Sequence, residues 1–137
     1  MRAHLGLSLV GCLLVGVCAG SVHAEQRLVN AQIQALVSGK TAYRRHARKD
    51  VSGYAFFDPG GSYLAFRSDK GASRGAWSIS DDRFCYQLSG RDSECFEVHD
   101  EGNGTYRLYE QPGGPMKPKK HIWTWERIVD GNVENMR

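Results

Sequence analysis

From Gly39 onward the chain repeats one pattern: a run of five or six residues rich in Tyr, Phe, Trp, Val, Ile and Thr, then a cluster of Gly, Pro, Asp, Asn or Ser. β-Branched and aromatic side chains fit a pleated, half-buried surface, and the intervening clusters accept turn geometry. The pattern predicts eight short strands, over 41–46, 53–58, 62–67, 75–80, 83–88, 94–99, 105–110 and 121–129. Connections such as Asp58-Pro59-Gly60-Gly61, Asp81-Asp82, the segment 89–93 and Gly102-Asn103-Gly104 are tight. Tight connections join antiparallel neighbours, so the expected fold is mainly β, an antiparallel meander. A meander of this size forms either a curved sheet or a partly closed small barrel.

Residue parity sharpens the central hairpin. Phe84, Tyr86 and Leu88 share one face of their strand, and Phe96 and Val98 share one face of the next. These are the expected core. Arg83, Cys85, Gln87, Cys95, Glu97 and His99 fall on the opposite face, which sets both cysteines on the same side of facing strands.

Residues 1–24 carry Arg2, an apolar stretch from Leu5 to Ala19, and Val22-His23-Ala24 before Glu25, the pattern of a cleaved export signal. The apolar stretch is shorter than a membrane-spanning helix of about 20 residues requires, and glycines interrupt it. Leu9-Val10-Gly11-Cys12 also looks like a lipobox, whose alternative outcome is a lipid anchor on Cys12. Cleavage after Ala24 removes Cys12 and Cys18 and leaves Cys85 and Cys95 in an oxidising compartment, where a single structural disulfide is the expected use. Residues 25–137 are enough for one domain and too few for two. It begins with Val29, Ile33, Leu36 and Val37 near helical spacing, with Asn30 placed to cap and Gly39 to stop one short helix. A formal net charge of +3 gives no global argument for nucleic acid or an anionic membrane, and no transmembrane segment is expected in the processed chain.

Several local features bear on chemistry. Gly71-Ala72-Ser73-Arg74-Gly75 matches the pattern around a nucleophilic serine, but that mechanism needs a strand-to-helix elbow, and here a strand pattern follows. His46, His99 and His121 are widely spaced, so no metal or other cofactor is expected. Arg44, Arg45 and Arg48 form one basic patch, and Lys117, Lys119 and Lys120 another; brought together, they would attract an anionic ligand. Trp123 and Trp125 share a strand face, with Tyr106 on the neighbouring strand and Tyr54, Phe56, Tyr63 and Phe66 earlier. Such aromatics are core or line a concave pocket for an apolar or sugar ligand. Asn103-Gly104-Thr105 fits a glycosylation acceptor and equally a hairpin turn; the turn accounts for it.

Taken together, Ser38-Gly39-Lys40-Thr41, Gly75-Ala76-Trp77, the Cys85 and Cys95 pair and Asp130-Gly131-Asn132 give the chain a likeness to a known group. It resembles small exported bacterial proteins of unknown function that share a helix, Gly-Lys-Thr, a Gly-x-Trp strand and two cysteines. The resemblance implies periplasmic placement and a β-rich fold, and it brings no activity or catalytic residues.

The expected function is therefore a non-enzymatic exported module that binds a small amphipathic ligand or an envelope component, periplasmic or secreted. The alternatives are an inhibitor or stress-protective protein that docks another protein, and a small hydrolase using Ser73, alone or in a cluster with His99 and Asp100.

Overall fold

The computed structural model describes residues 24–137. The expected export leader and the Cys12 motif lie outside the described residues, save for Ala24. The elements run β1 (Gln26–Arg27), α1 (Asn30–Val37), β2 (Lys40–His46), β3 (Ser52–Phe57), β4 (Ser62–Arg67), β5 (Gly71–Ser80), β6 (Arg83–Leu88), β7 (Glu94–Asp100), β8 (Tyr106–Glu110) and β9 (Lys120–Asp130).

Each strand from β2 to β9 pairs antiparallel with the next, and β9 returns to pair with β2, so the meander closes into an eight-stranded barrel. Closure removes the sheet edges that a curved sheet would leave open. β1 lies outside the ring. It pairs Gln26 with Asp100 and Arg27 with His99, beside the end of β7 that β6 does not reach. At two residues it is too short for any periodic signal in the sequence.

β5 begins at Gly71, four residues ahead of the expected 75, so the Gly-x-Ser-x-Gly stretch is strand and not turn. Pairing of Leu64 with Arg74, Ala65 with Ser73 and Phe66 with Ala72 overrides its weak intrinsic preference. Gly75 is obligatory for a different reason. A Cβ there would lie 1.9 Å from the Gln87 carbonyl oxygen, and one at Gly53 1.9 Å from that of Phe66. Bare backbone at these two points lets adjoining strands coil tightly enough to close the ring.

Alternation places Ala42, Ala55, Phe57, Tyr63, Ala65, Trp77, Phe84, Phe96, Val98, Leu108, Trp123 and Trp125 in one buried core. Phe57, Phe84 and Trp125 form its centre, with ring centroids 5.2 to 5.6 Å apart and tilted or edge-on, the arrangement that aromatic quadrupoles favour.

Helix α1 covers one end of the barrel with Ile33 and Val37, both fully buried, next to Leu28. Asn30, expected to cap the helix, is instead its first residue; Val29 holds the cap position, and the Gln32 side chain accepts from its N–H at 3.0 Å. Asn30 ties the helix to the β5–β6 turn. Its N–H donates to Asp82 Oδ1 at 2.8 Å, and its Oδ1 accepts from the Asp82 N–H at 2.7 Å. Asp81 and Asp82 both take left-handed backbone, φ 53° and 55°, the geometry of a two-residue hairpin turn.

Cys85 and Cys95 are paired directly across β6 and β7 and form a disulfide, with Cα atoms 4.1 Å apart. The cysteine face also carries a buried carboxylate. Glu97 shares the cysteine face yet is 1% exposed, because Arg27 and Lys119 close over it.

Candidate functional site: the open mouth of the barrel

The end opposite α1 is ringed by the loops 47–51, 68–70, 89–93 and 111–119. Strand ends pointing inward there cannot meet a facing partner, so the fold leaves a concavity. It measures about 690 Å³. Trp123, Tyr86, Leu88 and Ile122 supply its apolar wall, and His46, Lys49, Arg67, Lys70 and Arg91 a mostly cationic rim, balanced in part by Asp69, Asp92 and Glu94.

Directly beneath lies Arg44. Parity of β2 turns Ala42 and Arg44 inward while Arg45 faces out, and Arg44 is 5% exposed. Its guanidinium sits 4.6 Å from the Trp123 ring centroid, and its Nη1 donates to the Tyr63 hydroxyl at 2.7 Å. Its Nε is buried with no partner among the described residues. Arg67 approaches the same Trp123 ring at 5.5 Å, and the His46 ring stands edge-on to it at 4.9 Å. Tyr63 stacks on Tyr86 at 4.9 Å, and the Tyr86 hydroxyl donates to the Glu94 carboxylate.

Burial sets the protonation states. The Tyr86 phenol is pushed far up by desolvation, with Tyr63 and Glu94 adding to it, and burial also raises Tyr63 against the pull of Arg44. Both phenols remain protonated: Tyr86 donates to Glu94, and Tyr63 accepts from Arg44. Burial lowers His46, and the charges of Lys49 and Arg67 lower it further, which keeps its imidazole neutral near pH 7.

The residues expected to bind from sequence separate into groups. The first basic patch is not a patch: Arg44 lies inside the barrel, exposed Arg45 is paired with Glu126 at 2.7 Å on the outer wall, and Arg48 is exposed in the 47–51 loop. A strand cannot direct two consecutive side chains to one face. Of the second patch, Lys119 is engaged by Glu97 at 2.7 Å, while Lys117 and Lys120 are exposed. The 47–51 and 111–119 loops do share the mouth end, since the Ala47 N–H donates to the Ile122 carbonyl at 2.8 Å. Trp125 is core, Trp123 is both core and cavity wall, and Tyr106 pairs with Trp125 and packs against the core. Tyr54 and Phe66 stack at 5.2 Å on the outer wall.

Ser73 sits within the continuous strand β5, without the strand-to-helix elbow that exposes a nucleophilic serine, and no histidine lines the two clefts beside it. His99 and His121 flank Tyr109 at 4.7 and 5.4 Å, with Glu25 3.3 Å from His99, whereas His46 lies at the mouth. Among the described residues no three His, Cys, Asp or Glu side chains are placed to hold a metal ion, and no helix is long and apolar enough to cross a membrane. The Asn103 Oδ1 accepts from the N–H and hydroxyl of Thr105 at 3.1 and 2.6 Å, inside the β7–β8 turn.

Of the rim residues, Arg67, Lys70, Arg91 and Glu94 were not picked out by the sequence reading, and Tyr86 and Leu88 were assigned to the core only. One signal was available for Arg67: it shares the inward parity of a buried run, Tyr63 and Ala65.

Compared with protein-family models, with curated proteins and with solved structures, the chain finds no significant match in any of the three.

Proposed function

We propose that the chain is an exported, non-enzymatic module that holds a small amphipathic anion in the mouth of its barrel. The leader pattern of residues 1–24 and the resemblance to exported bacterial proteins support placement in the periplasm or outside the cell. The observation that carries the ligand reading is the cavity of about 690 Å³, within the usual range for small-molecule sites, with Trp123, Tyr86, Leu88 and Ile122 beside a cationic rim. An apolar wall receives a hydrocarbon or ring, and the rim favours a negative group at the water boundary. Arg44, desolvated below the floor, adds a positive potential that solvent screens less than it does a surface charge.

Tryptophan fluorescence tests this reading. Titration of the processed protein with dodecanoate, dodecyl trimethylammonium and dodecyl maltoside should give saturable quenching, strongest for the anion. Leu88→Trp, which fills the mouth, should abolish it. No saturable response to any of the three, or full binding by the filled variant, overturns the reading.

A further inference from the structure

A second cleft of about 390 Å³ opens beside the mouth, lined by Arg67, Lys70, Ser73, Arg74, Ser89 and Arg91 together with Gly71, Ala72 and Leu88. The two spaces are neighbours, for Arg67, Lys70, Leu88 and Arg91 line both. Their electrostatics differ. The mouth includes three carboxylates among its cations; the cleft is lined by four cationic residues and by no carboxylate.

Arg67 already has a counter-charge outside the cleft. Its Nε and Nη2 donate to the two oxygens of Asp69 at 2.9 and 2.8 Å. Lys70, Arg74 and Arg91 form no ion pair among the described residues. Three positive charges therefore border one concavity without an ion-pair partner among the described residues. Their mutual repulsion is relieved by an anion that carries more than one charge and accepts several donors at once. A carboxylate offers one charge and two oxygens. A phosphate monoester offers up to two charges and three terminal oxygens, which matches three cations.

From this we infer that the cleft is a phosphate subsite, held by Lys70, Arg74 and Arg91. It rests on and deepens the reading of the mouth as an amphiphile site: the apolar part of the ligand lies on Trp123 and Tyr86, and its phosphate crosses the shared rim into the cleft. The chemistry recognised is a phosphate group, whether free or on a lipid-like chain.

Arg74 lines the cleft and not the mouth, and its side chain is exposed, so substitution there reads the subsite alone without burying a charge. Binding of inorganic phosphate, dodecyl phosphate and dodecyl maltoside to the processed protein is measured by titration calorimetry at about 0.15 M salt, where long-range surface attraction is screened. Arg74→Glu should weaken both phosphate-bearing probes by about tenfold or more, the scale of one lost charge contact, and leave dodecyl maltoside unchanged; Arg74→Lys should retain most of the affinity. Tighter binding of dodecyl phosphate than of inorganic phosphate assigns the group to a lipid-like ligand, and equal binding assigns it to free phosphate. The subsite is overturned if neither phosphate probe binds, or if Arg74→Glu binds both as the native protein does. Loss of maltoside binding with phosphate binding intact would instead sink the amphiphile reading and leave the subsite standing.

Discussion

Arg44 donates to the hydroxyl of Tyr63 at 2.7 Å inside the barrel, where the two residues are 5% and 1% exposed. A buried guanidinium held by the Tyr63 phenol and the Trp123 ring is expensive to strip of its one hydrogen-bond acceptor among the described residues. Tyr63→Phe should therefore cost about 1.5–3 kcal/mol, the worth of a hydrogen bond to a charged group. Replacing both partners removes the polar pair as a unit, so Arg44→Met combined with Tyr63→Phe should recover much of that loss. Urea unfolding of both single variants and of the double checks this; a double variant whose loss equals the sum of the singles would mean the pair is not coupled.

The bond between Cys85 and Cys95 closes a short loop across a hairpin already in register. On the chain-entropy account such a loop contributes about 2.5–3 kcal/mol, a large share of a small domain's stability of roughly 5–15 kcal/mol. Replacing both cysteines by alanine should lower the unfolding free energy by that amount while leaving the barrel's circular dichroism intact. Mass analysis of the oxidised native protein should find no free thiol at either position.

How much of this was legible in the sequence depends on the range of the interaction. Phe84, Phe96, Cys85 and Cys95 were placed correctly because a hairpin's parity is local. Closure of β2 on β9 was not decided, because pairing Ala42 with Ile128 depends on the coiling of the whole ring and leaves no mark near either residue. Arg44 was assigned to a surface patch although its alternation with Tyr43 and Arg45 pointed inward; its charge argued against burial, and only the long-range approach of Tyr63 and Trp123 makes burial tolerable. Of the mouth only the Trp123 wall was anticipated, since its rim combines strand ends from distant parts of the chain.

Glu97 joins two segments that lie outside the ring. Arg27 of β1 and Lys119 of the 111–119 loop each reach it at 2.7 Å, and both cations are about half exposed. Glu97→Gln frees them to return to water, so the loss should be about 1–2 kcal/mol, below that of an ion pair whose surviving charge stays buried. The clearer effect is local. Trypsin should cut after Arg27 and Lys119 faster in the variant than in the native protein, while the barrel strands stay protected; unchanged cleavage at both sites would show that other contacts hold the segments down.

Acidification should weaken the fold through two histidines. His46 and His121 both have folded values lowered from the usual 6.5, chiefly by burial, with Lys49 and Arg67 adding to the first and Arg107 to the second. A group whose folded value is depressed and which is neutral above it binds more protons in the unfolded chain, so stability rises with pH across the gap between the two values. The contribution is complete above about pH 6.5 and is lost as the pH falls below that towards the folded values. The urea midpoint should thus drop between pH 7 and pH 5, and His46→Gln with His121→Gln should flatten the drop. A decline that is equally steep without both imidazoles would place the acid sensitivity on other groups.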